Sequence, residues 1–295
     1  IIGVGEAIDR PDDLALALEP LQLIAAAARA AEGDAGARVL ARIDALDVVN
    51  CASWRYADLP ARVAQALGAA PSAMRYASVG GETPGKMIHE AARRIASGGS
   101  QLALVCGAEP QHSAGRFKAE GQTPHWTPWA KGGPRGERGE DMVHPMAAAL
   151  GLSQPVTVYP LYDAACAHAW GQTPEEALRE SGAIWARYAQ AATRNPTSWL
   201  KHGFSAQEIT TPGEKNRLIA WPYTKLMVAN PMVNQGAAVI VASLALARRL
   251  GVAEDRIVHV HGGASANEPR DFLVRASLSS SPAQDAVLED AMRLA

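Results

Sequence analysis

The stretch Arg75 to Glu109, RYASVGGETPGKMIHEAARRIASGGSQLALVCGAE, constrains this chain most. Arg75 to Val79 reads as a strand, and Gly80 to Gly85 as a glycine turn. A helix is expected from Pro84 to Ser97, stopped by Gly98-Gly99, and then a fully apolar strand from Leu102 to Cys106. Upstream the same alternation recurs. Ile1 to Ile8 is a strand ended by Asp9-Arg10-Pro11, and Leu14 to Glu32 is helical with an interruption near Pro20. A short helix over Arg38 to Leu46 precedes a strand at Asp47 to Asn50, and Leu59 to Leu67 is a helix that stops at Gly68. Strands alternating with helices imply an α/β fold: a mixed, largely parallel sheet with helices on both faces.

The middle differs. Glu109 to Pro160 is rich in Gly, Pro, Trp and charge, which suggests an insertion packed over the sheet with an exposed loop at Ala130 to Asp141. Helices follow at Tyr162 to Trp170 and at Pro174 to Thr193, the second with Thr173 as N-cap. Trp185 and Tyr188 share its apolar face and read as core. Asn195 to Pro222 is irregular; the apolar run Ala237 to Leu246, a strand at Ile257 to His261 and a helix from Pro282 to Leu294 close the chain.

Charge narrows the partners. Lys+Arg 28 against Asp+Glu 30 gives a net charge of -2, without the basic excess that phosphate neutralisation requires, so nucleic acid is not expected. No apolar run approaches the roughly 20 residues of a membrane span. The opening IIGVGEAIDRP lacks a signal peptide's basic start, and the absence of an initiator Met suggests a start inside the natural chain or after processing. Cys51, Cys106 and Cys166 are too few and too scattered for a disulfide framework or a zinc site, which fits a reducing cytoplasm. Gly3-x-Gly5 lacks the third glycine of a dinucleotide loop, and Asp9-Arg10-Pro11 stands where its helix should begin.

The turn before the Pro84 helix is the chemically suggestive place. Thr83-Pro84 read as cap and first-turn proline, and free N–H groups at a helix N-terminus favour negative charge. Enzymes use such a position to lower the pKa of a nucleophilic thiol.

This passage resembles the nucleophile loop and helix of the thiolase superfamily, especially the thiolase-like proteins related to the sterol-carrier-type enzymes. The resemblance extends to Ile2 to Pro11, Trp54-Arg55-Tyr56, Gly80-Gly81-x-Thr83-Pro84, Leu104 to Glu109, Trp221 to Met227 and Asn234 to Ala238. It implies a thiolase-like fold of two βαβαβ halves. Residues 1–110 with 222–250 would form the first half, 111–221 an inserted helical loop domain, and 251–295 the start of the second half. The family's later Asn-Glu-x-Phe, Gly-His-Pro and second-cysteine segments are not in this sequence.

On that alignment the acyl-accepting cysteine position holds Glu82. A carboxylate there cannot form the usual thioester; it would act as a general base or orient a ligand near the acyl carbon. The plain alternative is an acidic residue that merely complements the helix dipole. The resemblance implies CoA as a substrate moiety rather than a bound cofactor. Trp126, Trp129, Lys131 and Arg135, with Lys118 and Arg138, are candidates for adenine and phosphates, against the reading of a solvated loop with two anchoring tryptophans. Cys106 reads as a buried, inert thiol, Cys51 as a strand-end thiol near Arg55, and His89 as a surface or core histidine. His259 and His261 share a strand face without a third metal ligand in recognisable spacing, so no metal is assigned.

The expected function is that of a thiolase-like acyltransferase family member binding acyl-CoA. The alternatives are a thiolase-fold carbon–carbon lyase acting on CoA-linked side chains with an OB-fold or zinc-ribbon partner, and a non-catalytic CoA-binding or assembly subunit. The resemblance also implies a homodimer paired through the Arg75 to Gly80 strand.

Overall fold

The structure is a computed structural model that describes residues 1–134 and 141–295. It divides into two compact units. One comprises residues 1–134, 231–265 and 289–295; the other comprises residues 141–230 and 266–288. Residues 111–134 therefore belong with the sheet, and residues 266–288 with the helical unit.

The first unit holds β1 (Gly3–Ile8), α1 (Pro20–Ala35), β2 (Ala45–Val49), α2 (Leu59–Leu67), β3 (Ala73–Ala77), α3 (Thr83–Ala96), β4 (Leu102–Pro110) and α4 (Gln111–Ala119). The helical unit holds α5 (Pro145–Ala149), α6 (Pro155–Ala169), α7 (Pro174–Arg194), α8 (Ala206–Thr210), β5 (Leu218–Ala220) and β6 (Tyr223–Thr224). Then come β7 (Asn234–Ala242), α9 (Leu244–Arg249) and α10 (Pro282–Leu294). The sheet order is β1-β7-β4-β2-β3. β2 pairs parallel with β3 and β4, and only β7 runs against the rest.

Helices cover both faces. On one side α1 and α2 bury Leu46, Val48, Leu104, Cys106, Ala238 and Ile240. On the other, α3 packs Met87 and Ala91 against Ala45, Ala103, Val105 and Val241. The glycines of β1 serve packing: a Cβ at Gly3 or Gly5 would lie 2.2 or 2.1 Å from the Ala31 or Ala27 carbonyl oxygen of α1. Only glycine lets an alanine-rich helix lie that close.

Several expected elements shift. Pro20 opens α1 rather than interrupting it, because its missing N–H costs nothing in the first turn. Arg38 to Leu46 yields only a single 3-10 turn at Leu40–Arg42, where Glu32 accepts the N–H groups of Val39 and Leu40 and β2 begins at Ala45. β3 lies at Ala73–Ala77, two residues earlier than expected. Ile257 to His261 is not a strand; Val258 exchanges one backbone pair with Ile1. α6 starts at Pro155 and contains Pro160, and the stretch expected to be irregular holds α8 and β5, which pairs with β6 just beyond it. α2, ending at left-handed Gly68, and α7, with Thr173 in a capping box, stand where expected. Trp185 and Tyr188 are exposed rather than core. No helix among the described residues is long and apolar enough to cross a membrane.

Candidate functional site

Strand ends determine where the site lies. From β2 the chain crosses by α2 to β3 on one side, then by α3 to β4 on the other side of β2. Such a switch opens a crevice at the carboxyl ends of parallel strands. A cavity of about 420 Å³ lies there, on the α3 side of the sheet. Its floor is Val105 and Gly107 of β4 with Ala237 and Val239 of β7, Glu6 and Ile8 of β1 stand along it, and Gly80, Gly81, Pro84 and Ile88 form the wall.

Glu82 is the N-cap residue of α3, between the wall residues Gly81 and Pro84. It has αR backbone angles, makes no side-chain cap bond and is exposed. Its carboxylate folds back over Gly80, where an added Cβ would meet it at 2.9 Å and Thr83 Oγ1 at 2.6 Å. Gly80 thus leaves room for the carboxylate, while Glu82 itself is not among the residues that line the cavity.

Glu109, at the end of β4, also lines the cavity. It accepts the N–H groups of Ala52 and of Ser53, the latter at 3.1 Å, and lies 3.5 Å from the Cys51 thiol. Burial, reinforced by the Glu109 charge, pushes the Cys51 thiol up to about 12. Burial and Asp47 raise Cys106 as well. Both thiols are therefore protonated at neutral pH and poor nucleophiles. In the sequence Glu109 stands only as the end of the Leu104 to Glu109 motif; its signal is a lone carboxylate closing an otherwise apolar strand.

A second network fixes α3 to the sheet. Asp47 of β2, 1% exposed, accepts Arg75 Nε at 3.0 Å and Arg94 Nη2 at 2.6 Å, and Arg75 also reaches Glu90 of α3. The spacing of Glu90 and Arg94 puts both on one helix flank.

Of the candidate nucleotide residues, Trp126 and Trp129 both meet the Trp54 ring edge-on, each at 5.0 Å. Trp126 is buried; its indole donates to the Ala17 carbonyl at 2.8 Å and its ring meets Trp54 and Phe117 edge-on at 5.0 and 5.5 Å. It is an anchor with no ring face left for adenine. Trp129 is 43% exposed, with the Arg55 guanidinium 5.4 Å over its ring. Lys131 and Lys118 are exposed, and Arg135 and Arg138 lie outside the described residues. His89 packs against Gly263, and the His259 and His261 rings are 6.0 Å apart. Among the described residues no three His, Cys, Asp or Glu side chains gather as metal ligands.

No family model matches the chain, and neither does any curated protein. Solved structures do. A monomeric SCP2-thiolase-like protein type 1 from Mycobacterium smegmatis superposes with a TM-score of 0.77 at 27% identity, covering 99% of this chain and 56% of its own. An Ltp2–ChsH2(DUF35) aldolase gives 0.69 at 18% identity, covering 99% of this chain and 68% of that one. The acetyl-CoA acetyltransferase of Syntrophomonas wolfei gives 0.59 at 17%, covering 99% and 74%. This chain thus spans little more than half the length of the mycobacterial protein. By its mixed α/β architecture and these likenesses, the chain is a protein of the thiolase-like superfamily.

Proposed function

We propose that this chain is a thiolase-like acyltransferase family member that binds acyl-CoA thioesters, with Glu82 where the acyl-accepting cysteine would stand. The observation that carries the reading is the cavity beside the α3 N-terminus, walled by Gly80, Gly81 and Pro84 on either side of Glu82 in the chain. A carboxylate does not replace a thiol in forming a thioester, so Glu82 orients the ligand or takes a proton near the acyl carbon. Trp129, Lys131 and Arg135 are the residues proposed for the nucleotide end. A second reading, carbon–carbon cleavage of CoA-linked side chains with an OB-fold partner, draws on the same missing cysteine. The solved aldolase that shares the fold carries a DUF35 partner in its name. In either reading β3, an edge strand of the sheet, pairs with a second copy, although the mycobacterial relative is named as a monomer. Three free thiols suit a reducing cytoplasm.

Calorimetry with CoA and acetyl-CoA, combined with intact mass after incubation, tests the reading. Both ligands bind, no acetyl adduct forms on the wild-type chain, and Glu82→Cys gains a hydroxylamine-sensitive adduct at that position. Absence of heat at millimolar CoA, or an adduct on Cys51, Cys106 or Cys166, overturns it.

A further inference from the structure

The sheet face that floors the cavity carries charge of one sign. Ala103 and Val105 of β4 pack toward α3, so strand alternation puts Gly107 and Glu109 on that same face. On β1, Gly3 and Gly5 face α1, so Glu6 and Ile8 point the other way, toward the cavity. Register places them: Glu6 lies across from Ala237 and Gly107, and Ile8 from Gln235 and Glu109. Glu6 and Glu109 thus stand diagonally across β7, with only Ala237 and Gly107 on the floor beside them. Among the described residues that line the cavity there is no Lys, Arg or His. Glu109 is held as a carboxylate, because its oxygens meet only donors: the Ala52 and Ser53 N–H groups and the Cys51 thiol. The dipole of α3 would favour an anion at the turn, but Glu82 already stands at that helix N-terminus.

We infer that Glu109 and Glu6 set the acyl specificity of this site: they exclude acyl groups that end in a carboxylate and leave the cavity to uncharged ones. This specificity rests on the acyl-CoA reading above and adds to it which acyl groups are admitted. The remaining side chains of the cavity are mostly apolar, Ile8, Val49, Val79, Ile88, Val105 and Val239 among them. A ligand carboxylate brought in there loses water, gains no cation and meets two like charges. An apolar wall alone also disfavours charge; the two glutamates add a penalty that their neutralisation removes. The placement of both comes from strand register and from hydrogen bonds inside one unit, whatever lies over the cavity.

Calorimetry with butyryl-CoA, succinyl-CoA and succinamoyl-CoA tests this on the chain as it is. Succinamoyl-CoA, the terminal amide of succinyl-CoA, keeps its shape and loses its acyl charge. Succinyl-CoA binds roughly tenfold or more weakly than succinamoyl-CoA, and Glu109→Gln and Glu6→Gln each narrow that ratio. A ratio near one in the wild type overturns the specificity while the acyl-CoA reading stands. A ratio that neither substitution moves overturns it as well, because desolvation by the apolar wall would then be the whole cause. Failure of all three esters to bind removes the acyl-CoA reading and this specificity with it. Circular dichroism follows the fold of each variant; if Glu109→Gln loosens the turn at Ala52 and Ser53, the ratio in Glu6→Gln decides.

Discussion

The two faces of the five-stranded sheet are built on different principles. Toward α1 and α2 the sheet is sealed chiefly by apolar contact: Leu46, Leu104 and Ile240 are wholly buried, and Gly3, Gly5 and Gly236 are bare so that α1 can sit on the strands. Toward α3 the cover is a single helix, held at one end by the Asp47, Arg75, Glu90 and Arg94 network. At the β1 and β7 end the sheet stays open, with Val4 and Ala237 exposed and the cavity between. Close packing resists change everywhere at once, whereas a helix fixed by ions at one end leaves the strand ends free to line a site.

The largest effect expected from breaking this contrast is at Asp47. Asp47→Ala removes the shared partner of two guanidinium groups in a buried setting and should cost about 3–5 kcal/mol in a denaturant titration. If it costs under about 1 kcal/mol, the ion network does not hold α3 and the contrast fails. On the sealed face Ile240→Ala should cost about 2–5 kcal/mol, since the cavity left behind cannot collapse under α1. Gly5→Ala comes next, at about 1–3 kcal/mol, because its Cβ would lie 2.1 Å from the Ala27 carbonyl oxygen. Ile88→Ala, at the open cavity, should fall below all three. Equal losses for Ile240 and Ile88 would show that the open face is as tightly filled as the sealed one.

Thiol chemistry sharpens the comparison without touching stability. Cys51 and Cys106 are buried with raised pKa values, whereas Cys166 is only half-buried. A native-state reaction with Ellman's reagent should titrate one thiol quickly, and all three in denaturant. Rapid reaction of Cys51 would mean that the turn holding it against Glu109 opens readily.

Most of the sealed side was legible in the sequence, because periodicity and punctuation there are strong. Leu59 to Leu67 with Gly68, and Leu102 to Cys106, carry their structure in their own residues. The misses have local causes. Arg38 to Leu46 looked helical because Leu40 and Ile43 keep a helical interval, but the Glu32 carboxylate accepts two N–H groups there and the chain turns once. Ile257 to His261 has strand composition but only a single backbone pair with Ile1. The site was half legible. Glu82 followed from counting along a motif and stands at the α3 N-terminus. Glu109, Glu6 and the cavity floor come together only through strand register, and a tryptophan at the surface cannot be told from an anchoring one by composition, as Trp126 shows.

The smallest expected effect is the pH dependence of the ionic end. Burial by itself would raise the pKa of Glu90, but the hydrogen bond and charge of Arg75, with Lys86 and His89 adding to them, outweigh it and leave the carboxyl below its ordinary value. A carboxylate whose folded pKa is depressed stabilises the fold above its unfolded pKa, near 4.3, and loses that contribution as pH falls through the lower folded value. Melting temperature should therefore decline below about pH 4.3 more steeply in the wild type than in Glu90→Gln, and the two should run parallel above it. Because Glu90 is partly exposed, added salt should shrink the difference. Parallel curves through the acidic range would mean that Asp47 alone supplies the ionic hold, and the network would reduce to one buried carboxylate between Arg75 and Arg94.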